Sequence, residues 1–139
     1  MDRNQHLFAY GTLRRSYFPD KVAGIRDKLI FVGEGETNGL LYDIGTYPAA
    51  VRGDGTQKIK GDVFLLREPE QVLRIIDQYE GIDDASGTIG EFVRLKECIR
   101  LNSGGELLAW IYWYNQDVQG RISLSTGDYL EYLKLKKTT

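Results

Sequence analysis

The sequence predicts an α+β fold in a single domain spanning residues 1–139, and three observations carry that expectation. Glycines recur between short apolar runs, the rhythm of strands joined by tight connections. One strongly amphipathic segment, Pro69–Tyr79, reads as a helix. Two runs, Phe92–Leu101 and Leu107–Tyr114, flank Asn102-Ser103-Gly104-Gly105, which suits a hairpin. A chain of 139 residues supports one hydrophobic core and is short for two ordinary domains.

The elements follow in order. His6–Tyr10 is a first strand ending in Gly11-Thr12. Val22, Ile25 and Leu29 are spaced for a short helix between Pro19 and Lys28. Leu29–Val32 and Gly39–Ile44 read as strands on either side of Gly33-Glu34-Gly35, and Tyr47–Arg52 as a further extended piece. Lys58–Leu66 is a strand in which Gly61 signals either a bulge or a close backbone approach. Helix Pro69–Tyr79 opens with proline, whose missing N–H would be unpaired there in any case. Glu68 and Glu70 suit its positive end, and Val72, Leu73, Ile76 and Tyr79 form one apolar stripe. Gly81 is placed to cap it in the left-handed region. In Phe92–Leu101, alternation places Val93, Leu95, Ile99 and Leu101 on one face. Leu107–Tyr114 is apolar on both faces, as in a central or barrel strand. Ser125-Thr126-Gly127-Asp128 resembles a capping box before a terminal helix with Tyr129, Leu130 and Leu133, and Lys134–Thr139 reads as a solvated tail.

Composition narrows the function. The formal net charge is -2, with 18 basic and 20 acidic residues intermixed, so the basic surplus of a nucleic-acid binder is missing. The single cysteine rules out an internal disulfide and fits a reducing compartment. No apolar run is long enough to span a bilayer as a helix, and Met1–Gln5 lack the apolar stretch of a secretory signal. A cytoplasmic protein with no membrane or nucleic-acid partner is expected. The 9 tyrosines outnumber the 5 phenylalanines and suit a cavity lined by rings with paired hydroxyls.

Two stretches carry candidate chemistry. Tyr10-Gly11-Thr12-Leu13 ends a strand, where successive backbone N–H groups can receive a carboxylate or an oxyanion, with Arg14 and Arg15 adding positive field. The bland alternative is a tight turn before a solvated basic pair. Glu80 falls at the C-terminal end of the central helix, whose partial negative charge disfavours ionisation, and burial beside Tyr79 would disfavour it further. Such a carboxyl suits a general base near neutral pH; the alternative is an exposed glutamate on a frayed turn. His6 and Cys98, each the only residue of its type, make a poor case for a nucleophilic pair, because a small thiol in an alternating strand is ordinarily buried core. Ligands for zinc are lacking, and Gly81–Gly90 lacks the spacing of a calcium loop and reads as a mobile segment able to close over a neighbouring site. Trp110, Tyr112, Trp113 and Tyr114 read as core.

Taken in order, Tyr10-Gly11-Thr12-Leu13, the strand Gly61–Phe64, the helix end Asp77-Gln78-Tyr79-Glu80-Gly81 and the pair Phe92 and Arg94 resemble the γ-glutamylcyclotransferase-like family, which includes γ-glutamylamine cyclotransferase and the avirulence-induced-gene-like proteins. The resemblance covers nearly the whole chain. It implies a small mixed β-barrel with a few short helices and a cavity at one end. It implies substrate contacts from Tyr10, Gly11, Thr12 and Leu13, Glu80 as proton acceptor, and a small-molecule γ-glutamyl or aminoacyl substrate. Arg94 would orient a carboxylate or stabilise the site, or else form a structural ion pair, and Tyr47 and Tyr114 would line the cavity. The implied reaction closes 5-oxoproline by attack of the substrate's own α-amine and calls for no cofactor, metal or external nucleophile. Two features depart from the pattern: Gly81–Gly90 is longer and richer in glycine and aspartate, and Phe92 stands where a tyrosine is common. The rival readings are a binding or regulatory module that keeps the pocket without catalysis, and a phosphate-containing ligand on the Gly11–Arg15 turn. No pattern specifies an oligomeric state.

Overall fold

Residues 5–11, 13–14, 20–45, 47–80 and 91–137 are described by a computed structural model. Strand β1 (His6–Ala9) is buried by both neighbours and both faces. It pairs antiparallel with Lys58–Leu66 and meets Glu106–Tyr114 in parallel, with Leu7 opposite Trp110. Leu7 and Ala9 join one apolar cluster, while Phe8 and Tyr10 join another. Apolar side chains on both faces are therefore required, as in a strand covered on both sides.

A 3-10 helix spans Asp20–Lys28 where the spacing predicts a helix. Three residues per turn matches the Val22-to-Ile25 interval, and Gly24 in its middle weakens an α-helix. Strand β2 (Leu29–Asn38) then runs unbroken through Gly33-Glu34-Gly35. The expected interruption is instead a register shift between Phe31 and Gly33. Strands β3 (Leu40–Asp43) and β4 (Pro48–Val51) pair antiparallel.

Strand β5 (Lys58–Leu66) bridges β1 and β2. Gly61 keeps a regular register opposite Gly35, so it marks no bulge. A Cβ there would lie 2.5 Å from the Ala9 carbonyl oxygen, so the glycine serves a close backbone approach.

Helix α1 (Pro69–Tyr79) buries Val72, Leu73 and Ile76 against Leu7 and Ala9 of β1. Glu68 precedes it with φ 49° and makes no side-chain cap; its carboxylate pairs with Lys28 at 2.6 Å. Strand β6 (Phe92–Leu101) and β7 (Glu106–Tyr114) form the expected hairpin, turned by Gly104 and Gly105 at φ 108° and 86°. Leu95 is exposed, unlike Ile99 on the same predicted face. The barrel closes in the order β1-β5-β2-β6-β7, and β8 (Ile122–Ser123) completes a separate β4-β3-β8 sheet.

Helix α2 (Tyr129–Lys137) extends well into the expected tail. Its cap is Asp128, whose Oδ1 accepts the N–H groups of Leu130 and Glu131 at 3.1 and 3.3 Å. Gly127 just before it has φ 69°, accepts the Lys60 N–H on its carbonyl at 2.7 Å, and would push a Cβ deep into the Lys58 carbonyl. Gly127→Ala therefore combines backbone strain with a clash against an immobile strand. It is expected to destabilise the protein by at least about 2 kcal/mol in thermal or urea unfolding.

Candidate active site

A cavity of about 330 Å³ opens between β1, the C-terminal end of α1 and the starts of β4 and β6. Leu7–Gly11 and Leu13 form one wall, and Tyr47, Pro48, Tyr79, Glu80, Glu91, Phe92 and Tyr112 complete it. Four of the five sequence-predicted residues of the turn and helix end, Tyr10, Gly11, Leu13 and Glu80, thus meet in one cavity. The fifth, Thr12, lies outside the described residues, as do Gly81–Gly90 with the expected glycine cap and mobile segment. Gly11 packs so close to Pro48 that a Cβ would lie 2.7 Å from its Cγ. Any larger residue there would displace Pro48 or narrow the cavity.

Glu80 ends α1, its backbone N–H donating to the Ile76 carbonyl at 2.8 Å. Glu80 is half-buried and lines the cavity. Burial, then the nearby charges of Glu91 and Asp77, raise its pKa from 4.5 to about 8. Glu80 therefore changes charge within the neutral range, as acid–base work requires.

A polar network holds the walls. The Tyr10 hydroxyl donates to the Tyr112 carbonyl, which pins β1's end to β7. Burial, then Glu80, keep Tyr10 protonated far above the usual tyrosine range. Tyr112 donates to Asp77 Oδ1 at 2.6 Å, and Arg94 grips the same carboxylate with Nε at 2.8 Å and Nη2 at 3.0 Å. Arg94 also lies over the Trp110 ring, 4.4 Å from its centre. Of the two expected roles for Arg94, the geometry displays the ion pair, one helical turn before Glu80; Arg94 is not in the cavity wall.

Arg14 also points inward. It reaches Asp62 at 3.3 Å and Asp128 at 2.9 Å, tying the first turn to β5 and to the cap of α2. A phosphate on that turn would have to compete with two carboxylates, and Arg15 lies outside the described residues. Cys98 is exposed rather than core, and its thiol donates to Glu106 at 3.2 Å. That bond, with slight burial and the charge of Glu106, raises its pKa, the opposite of an activated nucleophile. His6 sits on another strand, opposite Leu65.

Two wall residues carry polar chemistry that sequence reasoning did not find. From its place in an apolar run, Tyr112 reads only as core. Glu91 stands alone in the sequence between a polar stretch and the Phe92 strand, where no periodicity marks it. Its carboxylate accepts a hydrogen bond from the Tyr47 hydroxyl. Tyr47 itself lines the cavity, whereas Tyr114 packs behind Phe92 at 5.3 Å between ring centres.

A half-buried glutamate among tyrosines in one cavity at the barrel wall makes a site able to take a small polar molecule. Residues 7–131 match the family model described as γ-glutamyl cyclotransferase, AIG2-like, and the chain belongs to that family. It is 29% identical over 128 residues to the Methanocaldococcus jannaschii protein MJ1514, whose name proposes a γ-glutamylcyclotransferase, covering 92% of this chain and 98% of that one. It is 31% identical over 113 residues to the γ-L-glutamyl-butirosin B γ-glutamyl cyclotransferase of Niallia circulans, covering 81% of this chain and 68% of that protein. Among solved structures, an AIG2-like protein of Mus musculus superposes with a TM-score of 0.66 at 22% identity, over 85% of this chain and 82% of that one. YkqA of Bacillus subtilis superposes with a TM-score of 0.73 at 22% identity, over 98% of this chain but 43% of that longer one. These structures share the barrel. Among the described residues, no helix is long and apolar enough to cross a membrane.

Proposed function

We propose that this enzyme is a γ-glutamyl cyclotransferase in which Glu80 is the general acid/base, acting on a small γ-glutamyl amide. The observation that carries the reading is the cavity-facing Glu80 carboxyl with its pKa raised to about 8. The substrate's α-ammonium gives a proton to the Glu80 carboxylate. The freed amine nitrogen attacks the γ-carbonyl carbon, forming the C–N bond of a five-membered ring. Backbone N–H groups of the Tyr10–Leu13 turn stabilise the carbonyl oxygen as it gains charge. Glu80 then returns its proton to the amide nitrogen, that C–N bond breaks, the ring nitrogen gives its remaining extra proton through Glu80 to the departing amine, and 5-oxoproline and an ammonium ion leave. Nucleophile and electrophile belong to one molecule, so the enclosed cavity contributes mainly by holding a near-attack conformer.

The test is incubation with γ-glutamyl amino acids, γ-glutamyl amines and γ-glutamyl peptides, with 5-oxoproline followed by mass spectrometry. Stoichiometric 5-oxoproline and amine are expected. Tight binding without consumption would favour the non-catalytic module instead.

The raised pKa sets the pH dependence. Ionised Glu80 is required in the free enzyme, so kcat/KM falls as pH drops through about 8. Glu91→Gln removes one of the like charges that raise Glu80, so the acidic limb moves to lower pH. A pH profile of both proteins on one substrate checks the sign.

A further inference from the structure

Gly11 is held from two sides, and both holds lead to helix α2. On one side, the Arg14 N–H closes the turn onto the Gly11 carbonyl at 3.2 Å. The Arg14 guanidinium is buried and ends on Asp62 and on Asp128, the cap of α2. On the other side, Pro48 packs against Gly11, its Cγ 2.7 Å from where a Cβ would sit. Pro48 lies directly opposite Asp43 in the β3–β4 pair. The Asp43 carboxylate accepts the Gly45 N–H at 2.8 Å and the Tyr132 hydroxyl of α2 at 2.6 Å. One helix therefore reaches the first turn through Asp128 and the β3–β4 turn through Tyr132.

The helix is itself fixed to the barrel. The Gly127 carbonyl at its start accepts the Lys60 N–H at 2.7 Å, on the strand that carries Asp62. Tyr129 is buried in the apolar cluster that holds Tyr10, with Tyr132 and Leu133 packed against it. Such anchoring matters for a turn that offers N–H donors. Donors stabilise developing charge only when aimed at the oxygen in advance, and a misplacement of about 1 Å can cost about 10²-fold.

We infer that α2 positions the Tyr10–Leu13 turn, with Asp128 acting through Arg14 and Tyr132 acting through Asp43 and Pro48. This rests on the cyclotransferase reading above, in which that turn receives the carbonyl oxygen. Neither Asp128 nor Tyr132 lines the cavity, so both are positioning residues. Losing either tie leaves Glu80 in place and loosens the donors. Those donors count most as the oxygen gains charge, so kcat falls while KM changes little.

The experiment uses Asp128→Ser and Tyr132→Phe. Serine still caps α2 but is too short to reach Arg14, and phenylalanine removes only the hydroxyl. On a γ-glutamyl amide that the wild type consumes, each variant is expected to lower kcat about 5–50-fold with KM within about threefold. A second arm needs no turnover: backbone amide hydrogen exchange at Gly11, Leu13 and Arg14, with Val72 and Ile76 of α1 as reference. Exchange at the turn should quicken at least about tenfold in each variant while α1 is unchanged. A kcat within about twofold of the wild type strikes the tie which that variant breaks, and in both variants it overturns the inference while leaving the cyclotransferase reading intact. Equal quickening across α1 marks general loss of stability and also overturns it. If the wild type forms no 5-oxoproline from any γ-glutamyl amide, the reaction assignment fails and the exchange arm alone decides. Quickening confined to the turn then supports the role of α2, and unchanged or uniform exchange overturns it.

Discussion

Glu80→Gln should lower 5-oxoproline formation by about 10²–10⁴-fold, the usual worth of a positioned acid–base group. The amide keeps the size of the side chain but can neither take the proton of the α-ammonium nor return it to the leaving amine. Folding should survive, and stability supplies a second signature with a definite sign. Below its ordinary value of 4.5 the wild-type carboxyl is protonated whether the chain is folded or not, so it carries no titration penalty. As pH rises toward 8 the unfolded chain loses this proton while the folded one holds it, and the folded state loses stability across that window. Glu80→Gln removes the titration, so its Tm relative to the wild type should climb between pH 5 and pH 8.5, values chosen to lie roughly at the two ends of that window. Turnover within about tenfold of the wild type would sink the role of Glu80.

Arg94→Met is expected to cost about 3–5 kcal/mol, because it strands the Asp77 carboxylate away from water. Both side chains of that pair are only 10% exposed, and Tyr112 shares the same carboxylate. Adding Asp77→Asn to Arg94→Met should recover part of the loss by removing the uncompensated charge. Arg94→Lys should fall between, since an ammonium cannot reproduce the two-pronged grip. The same series separates the two roles open to Arg94. A large loss of Tm with rescue by the double variant identifies an ion pair that anchors the last turns of α1. A near-normal Tm with a raised KM would identify a substrate contact. Unbalanced Asp77 charge also raises Glu80 further, so residual Arg94→Met activity should have its acidic limb displaced to higher pH.

Much of this architecture is local enough to be legible along the chain. The apolar stripe of Val72, Leu73 and Ile76 is set by helical spacing, and it carries Glu80 to a helix end by counting alone. Phe92–Leu101 and Leu107–Tyr114 alternate or saturate as strands do, and Gly104-Gly105 supplies the left-handed turn between them. Errors fell where a long-range partner overrides a local preference. Gly33 and Gly35 look like a break, yet the ladder to β5 carries β2 through them. Lys134–Lys137 read as a tail, but they continue a helix that starts at an Asp128 cap and is tied to Arg14.

By itself, the sequence determined most of the barrel strands, the central helix with Glu80 at its end and, through the order of its motifs, the family. These follow from residue type and spacing over a few neighbours, where backbone geometry dictates which side chains share a face. Tertiary structure alone decided that β7 closes on β1, that Arg94 faces Asp77, and that Glu91 meets Tyr47 across 44 residues of chain. No periodicity records such meetings, because they depend on how the barrel closes. The charge balance of the cavity, and with it the working pKa of Glu80, is a property of that closure.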